Sequence, residues 1–343
     1  MKPQSVPLRV LLFVLCWGLL PAASGADRIR ITVDGTERSN NAQIVRSIVN
    51  YVAKPADIEF DIRYSAGPPD ALVRLRDGGG QQLAVLPADV GEAYQGAAAR
   101  GSIEASRLMA PIRVIAPLGE EEIFFIVRSD SPLNFVHEIE NARINLGLQY
   151  SSSALTAATI YRLLFRAAIP DHQATFHSPQ SALVKLTEQT VDVVAVVAPH
   201  PARLLTDMKP EARRFVKILK FDPSRPGSDA IMNVYSRKLV PAASYPNLLT
   251  EDLPTLAVKI YLVSHGRNDA FQIRFANSWC QNWTQLRDQG TPSLRGLELA
   301  LPQLVSGWHY SRPFERELNA CIEGKRPSAD ACSQEDRALG LCG

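Results

Sequence analysis

The order of predicted strands and helices repeats once within the chain, and this repeat most restricts the possible folds. Apolar runs predict strands in each half, at 29–33, 58–64 and 83–86 in the first and at 144–148, 174–177 and 191–197 in the second. Predicted helices separate them. Ala182 follows Ala71, and Ala195 follows Ala84, by the same 111 positions. A chance likeness of two α/β lobes is the alternative. The shared register favours two copies of one βαβαβ plan, an α/β fold with parallel-type sheets and helices on both faces.

Two longer apolar strands, at 123–127 and 256–263, lie outside both copies. We expect each to cross between two lobes, so that residues 27–125 and 258–320 form lobe I and residues 126–257 form lobe II. Ligands of open α/β sheets bind beyond the carboxyl ends of the strands. The cleft between the lobes is therefore the predicted site, and the two crossing strands are predicted to act as a hinge that closes it.

The first 26 residues have the pattern of a cleavable secretion signal. Lys2 and Arg9 supply positive charge, an apolar run follows at 10–20, and small residues stand at 24–26. The run is too short to span a membrane, and no other stretch of the sequence is long enough. A periplasmic protein is therefore expected. The formal net charge is +2, with no basic stripe, so a nucleic-acid partner is not expected.

Four cysteines follow the predicted signal: Cys280, Cys321, Cys332 and Cys342. In an exported protein this even number predicts two disulfides, with three possible pairings. We expect them to fasten a cysteine-bearing tail at 321–343. The sequence has no close cysteine or histidine pairs with the spacing of metal ligands, so no metal site is expected.

Three serines at 151–153 separate a predicted strand from a long predicted helix. They either only cap the helix, since a serine oxygen accepts bonds from the first free N–H groups, or help those N–H groups to bind an anion or carboxylate. A polar loop at 34–41 follows the first strand of the other lobe. The candidate ligand-binding residues in these two loops are Gly35, Thr36, Ser39, Asn40, Tyr150, Ser151, Ser152 and Ser153.

Asp89 and His200 follow equivalent buried strands, again 111 positions apart. Both are expected at the rims of the cleft, and simple solvation is the alternative for Asp89. The sequence has no Gly-x-Ser-x-Gly elbow, no phosphate-binding loop and no dinucleotide fingerprint, so neither an enzyme nor a cofactor is expected. A stripe of aromatic residues every four positions, Phe271, Phe275, Trp279 and Trp283, is interpreted as core.

The chain resembles the TAXI-type solute receptors of tripartite ATP-independent periplasmic (TRAP) transporters over about residues 29–311. The residues that carry the resemblance are Gly35 and Thr36, 83–89, 123–130 with Leu133, 138–139, 142–147, 191–197 with His200 and Pro201, 252–258 and 308–310. The resemblance implies an exported receptor with a type II two-lobe periplasmic-binding fold. We expect the protein to be a monomer. The resemblance also implies capture of a small organic anion or amino acid, typically a carboxylate, and delivery to a TRAP permease.

The chain departs from this family in its two polar loops. The first loop, Thr36 to Asn41, lacks the usual glycines and aromatics, and the second has Ser151-Ser152-Ser153-Ala154 where Gly-Ser-Gly-Thr is usual. Without those glycines the backbone approaches a ligand less closely. An envelope sensing or protein-interaction module with a modified or vestigial cleft is therefore the alternative function, and an exported enzyme of the same fold is a third.

Overall fold

The computed structural model describes residues 27–79, 81–266 and 268–324. Strands within these residues are β1 (Asp27–Asp34), β2 (Ile58–Ser65), β3 (Gln82–Pro87), β4 (Arg113–Arg128), β5 (Ile144–Asn145), β6 (Ala174–Thr175), β7 (Val193–Ala198), β8 (Val216–Ile218), β9 (Ser236–Val240) and β10 (Leu253–His265). α-Helices are α1 (Asn40–Ile48), α2 (Pro68–Asp77), α3 (Asp89–Ala99), α4 (Ile103–Met109), α5 (Ser152–Phe165), α6 (Pro179–Thr187), α7 (Arg203–Thr206), α8 (Pro210–Arg213), α9 (Ser228–Met232), α10 (Asp269–Gln281), α11 (Trp283–Gln289) and α12 (Arg312–Ile322). The predicted secretion signal, Cys332 and Cys342 lie outside the described residues.

The strand order confirms the predicted duplication. The sheet runs β2-β1-β3-β10-β4-β7-β5-β6. β1 pairs in parallel with β2 and β3, and β10 follows antiparallel to β3. β5 pairs in parallel with β6 and β7, and β4 follows antiparallel to β7. Each lobe therefore has the same order of three parallel strands and one antiparallel strand, which is the predicted two-lobe α/β plan of type II periplasmic-binding proteins.

The two crossing strands are longer than predicted and pair with each other. β10 lies antiparallel to β4, with Leu256 opposite Ile123 and Ser264 opposite Arg113. At its two ends β10 also pairs with β9 and with β3, so it belongs to both lobes. The pairing shifts register near Gly119, which has a φ of +107°. Such a bulge bends a strand locally. The residue boundaries of the lobes stay a prediction.

The core lies on both faces of the central strands. Every residue of β3 is buried, which requires cover on both sides of the sheet. The aromatic stripe of α10 and α11 is buried, as predicted, with Phe271 stacked on Phe275 at 5.5 Å between ring centroids. A disulfide joins Cys280 of α10 to Cys321 of α12, one of the predicted pairings. Among the described residues, no helix is long and apolar enough to cross a membrane.

Candidate functional site

The first polar loop begins where β1 ends. Gly35 has a φ of +88°, which glycine adopts without strain, and its N–H donates to the carbonyl oxygen of Ser65 at 3.1 Å. Ser39 caps α1, because its Oγ accepts from the N–H of Ala42 at 3.2 Å. Thr36 is exposed, and its Oγ1 accepts only a long local bond of 3.4 Å within this loop. Gly35, Thr36 and Ser39 therefore mainly shape the loop.

The three serines of the second loop have three different roles. Ser151 caps α5 by accepting from the N–H of Ala154 at 3.2 Å, so the capping interpretation holds for this residue. Ser153 accepts from the backbone N–H of Val197 in β7 at 3.3 Å. Ser152 reaches across to the other lobe. Tyr150, immediately before them, is 60% exposed and has a φ of +67°.

The N-terminus of α5 already holds a carboxylate, that of Asp34 at the end of β1. Ser152 donates to Asp34 through its Oγ and through its backbone N–H. Burial raises the pKa of Asp34, and the two bonds from Ser152 oppose that rise. The two polar loops thus face each other, and the predicted anion-binding position is occupied by a side chain of the protein itself.

Asp89 is not at a rim, which corrects the prediction. Its side chain is 0% exposed, because α5 and the turn before β9 cover it. Thr156 of α5 donates to Oδ2 at 2.6 Å, and the hydroxyl of Tyr235 donates to the same oxygen at 2.8 Å. Oδ1 has no side-chain partner, and the backbone N–H groups of Asp89 and Val90, at the start of α3, also act on this carboxylate as donors. Burial raises the pKa of Asp89 to about 6, against the lowering effect of these donors.

A further acidic group, Glu121 of β4, lies beside the first loop. Its Oε1 accepts from the amide of Asn40 at 3.4 Å, and the oxygen of that amide accepts from Ser293 at 2.6 Å. Glu121 is 8% exposed. Burial raises its pKa to about 7, and the negative charge of Asp34 adds to the rise. Asn40 therefore connects the predicted loop to a buried acid.

His200 lies at the end of β7 with 43% of its side chain exposed, as expected for a rim residue. Its Nδ1 lies 3.0 Å from Oε1 of Glu122, which is buried within β4. Burial raises the pKa of Glu122, and the hydrogen bond and charge of His200 oppose that rise. His200 is thereby tied to β4.

The sequence did not identify five residues that take part in these contacts as site residues: Asp34, Glu121, Glu122, Thr156 and Tyr235. A signal existed for two of them. Asp34 directly follows a predicted strand, and Thr156 lies one helical turn after Ser152. The two glutamates stood before a predicted strand that in fact includes them. Nothing in the sequence indicated Tyr235.

A cavity of about 1460 Å³ lies elsewhere, where α10 and α12 begin, and includes Arg113, His265 and Trp308 in its lining. It contains none of the predicted site residues. The described residues contain no group of three histidine, cysteine, aspartate or glutamate side chains that could hold a metal ion.

The NMT1-like family matches residues 41–271. No curated protein matches the chain. Similar solved structures include the arginine-, lysine-, histidine-binding protein ArtJ from Geobacillus stearothermophilus, at 10% identity, a TM-score of 0.46, and coverage of 78% of this chain and 96% of that chain. The periplasmic aliphatic sulphonate binding protein SsuA from Escherichia coli has 16% identity, a TM-score of 0.42, and coverage of 92% and 91%. The periplasmic binding protein BugD has 10% identity, a TM-score of 0.48, and coverage of 87% and 95%. At these identities and scores, the similarities say nothing about the ligand of this chain.

Proposed function

We propose that this chain, which belongs to the NMT1-like family, is a periplasmic receptor that binds a small solute between its two lobes and delivers it to a membrane permease. More specifically, we propose that the protein is a TAXI-type receptor of a TRAP system and is exported by a cleavable signal. Its ligand is a small carboxylate, either an organic anion or an amino acid. Its action is binding and closure, with no bond made or broken.

The observation that carries this proposal is the carboxylate at the N-terminus of α5. Ser152 offers a hydroxyl and a backbone N–H there, and both are directed at Asp34. Free N–H groups and the helix dipole make such a terminus a site for anions. A solute carboxylate that displaces Asp34 finds the same donors.

The two crossing strands, β4 and β10, are the proposed hinge about which the lobes close. β4 and β10 connect the lobes, and the register shift near Gly119 marks the place where β4 is least regular. The bonds Ser152–Asp34 and Thr156–Asp89 each join α5 to the ends of the first-lobe strands β1 and β3. Opening would also break the Arg162–Glu92 ion pair and the Tyr235–Asp89 bond and expose apolar residues of α5, and a solute that bridges the same groups favours the closed form.

A second candidate function is an envelope sensing or protein-interaction module with a vestigial cleft. It is favoured by one observation: the donors of α5 are satisfied by Asp34 and Asp89 without any solute. A stable complex with a protein that is not a transporter, together with no binding of small solutes, would support this alternative.

Thermal-shift and calorimetric titration of the purified protein test the receptor proposal. The probes are organic acids and amino acids at millimolar concentration. A ligand present at about 100 times its Kd stabilises the folded state by about 2.7 kcal/mol, which raises the Tm by several degrees. Ser152→Ala should weaken binding, and Ser106→Ala, an exposed serine on α4, should not. If no solute from either class shifts the Tm, the receptor proposal is wrong.

A further inference from the structure

We propose that the outer edge of β2 pairs antiparallel with the same edge of a second copy of the chain, which makes the protein a symmetric dimer. This inference does not depend on the receptor proposal, because β2 is the strand of the first lobe farthest from the second lobe in the sheet order. The dimer would replace the monomer that we expected from the sequence.

The outer edge of β2 has free main-chain groups. The N–H of Gly35, just after β1, donates to the carbonyl oxygen of Ser65 in β2 at 3.1 Å. Successive residues of a strand direct their main-chain groups to opposite edges, so Ser65 and every second residue before it bond to β1. The residues between them direct their N–H and C=O groups outward: Ile58, Phe60, Ile62 and Tyr64. No other strand among the described residues pairs with this edge.

The edge of β2 lacks several features that usually prevent pairing between sheet edges. Natural edge strands are often very short, or carry proline, lysine or a bulge. β6, at the opposite end of the sheet, is short, with 2 residues. β2 has 8 residues, contains no proline or lysine, and pairs with β1 in unbroken register from Ile58 to Ser65. Of these two ends of the sheet, β2 is therefore the one long enough to pair with another chain.

The sequence of β2 is complementary to itself when two copies run antiparallel about Asp61. Glu59 then lies opposite Arg63 of the second copy, and these side chains are 60% and 56% exposed. Cross-strand pairs of opposite charge, and of aromatic with apolar side chains, stabilise a sheet. The charged residues of β2 therefore favour pairing with a second copy. The pairs on the other face are apolar or aromatic: Ile58 with Tyr64 and Phe60 with Ile62.

This register also uses the outward main-chain groups. The outward residues lie opposite one another, and each opposed pair exchanges two N–H···O=C bonds, about eight bonds in the dimer. A shift by two residues in one direction sets Glu59 opposite Asp61, where like charges repel, and in the other direction leaves Ile58 unpaired. Asp61 faces its own copy on the two-fold axis, but Arg63 at 2.9 Å and Arg30 at 3.9 Å compensate its charge. Because each copy uses the same edge, the assembly closes at two chains.

Sedimentation equilibrium of the purified protein over about 1–100 µM tests the dimer. We expect a reversible association that gives twice the mass of the chain at the highest concentration. A monomer at every concentration would overturn the inference, and it would leave the receptor proposal standing.

Hydrogen exchange followed by mass spectrometry gives a second measurement that needs no variant. A peptide covering β2 should exchange more slowly at about 100 µM than at about 1 µM, because the outward N–H groups become bonded in the dimer. A peptide covering α6, in the second lobe, is the control and should exchange equally at both concentrations. Equal exchange of β2 at both concentrations would overturn the assignment of this edge.

Charge reversal tests the pairing of side chains. Glu59→Arg and Arg63→Glu each place like charges opposite each other twice in the dimer, and each should weaken dimerisation by about tenfold. The double variant restores opposite charges and should restore dimerisation. Glu188→Arg at the end of α6 and Arg203→Glu in α7 make the same charge changes at exposed positions and should have no effect. Equal dimerisation of the wild type and both single variants, or no recovery in the double variant, would overturn the assignment.

Discussion

Replacing Tyr235 by phenylalanine should destabilise the protein by an amount that depends on pH. The hydroxyl of Tyr235 donates to Oδ2 of Asp89 at 2.8 Å. Thr156 is the other side chain that donates to this carboxylate, and the backbone N–H groups of Asp89 and Val90 also act on it as donors. The substitution removes one of the two side-chain donors from a fully buried acid and leaves the ring in place.

The magnitude depends on whether Asp89 is ionised. Its pKa of about 6 in the folded protein lies above the ordinary value of 3.8. Protonation therefore stabilises the folded state, and that stabilisation is lost as the pH rises from about 4 to above 6, a change of about 3 kcal/mol. Above that range, losing a bond to a charged acceptor costs about 1.5–3 kcal/mol, but only about 0.5–1.5 kcal/mol when the acceptor is neutral.

The assay is urea unfolding of wild type and Tyr235→Phe at about pH 5 and about pH 7.5. We expect the loss of unfolding free energy to be larger at the higher pH by about 1 kcal/mol. Tyr161→Phe is the matched control, because its hydroxyl donates to the neutral backbone carbonyl of Glu140 at the same distance, 2.8 Å. A loss that is equal at both pH values, or that varies equally in the control, would refute an ionised Asp89 in this contact.

Three other changes should have defined effects. Glu121→Gln, without ligand, should raise stability at about pH 8 by about 1–3 kcal/mol and change little at about pH 4, since it removes a buried carboxylate whose pKa rises from 4.5 to about 7 on folding; chemical unfolding at both pH values checks this. Gly67→Ala, just before α2, places a Cβ 1.9 Å from the backbone oxygen of Tyr150 in the second polar loop, so the radius of gyration by X-ray scattering should increase, whereas Gly296→Ala, with open space around it, should leave it unchanged. Replacing Cys280 and Cys321 by serine opens a loop of separation 41 and should cost about 2–4 kcal/mol in urea unfolding.

The fold could be predicted because it depends on patterns that recur along the chain. The offset of 111 positions placed Ala84 and Ala195 in equivalent strands, and the structure puts them in β3 and β7. Where local geometry interrupts a pattern, the prediction was less accurate. The strand expected at 144–148 ends at Asn145, because Gly147 turns the chain with a φ of +98°.

Only those parts of the site that are formed by residues close together in the sequence could be predicted. Helix spacing located the serine cap of α5, but the environment of Asp89 depends on Tyr235, which is 146 positions away in the sequence. Equivalent positions in the repeat also differ, since Asp89 is fully buried and His200 is partly exposed. Contacts from the other lobe cause that difference, and no periodicity within one lobe reports them.

The contact between the lobes has hydrogen-bond acceptors on one side and donors on the other, and a ligand must complement both. The ends of β1 and β3 contribute acceptors, the carboxylates of Asp34 and Asp89, whereas α5 and the turn before β9 contribute donors, from Ser152, Thr156 and Tyr235. A solute that enters this contact has to present donors to the first side and acceptors to the second, or it leaves buried polar groups unpaired. A molecule with an ammonium group at one end and a carboxylate at the other satisfies both sides in one orientation only. An amino acid bound here should therefore direct its amine to the β1 and β3 ends and its carboxylate to α5.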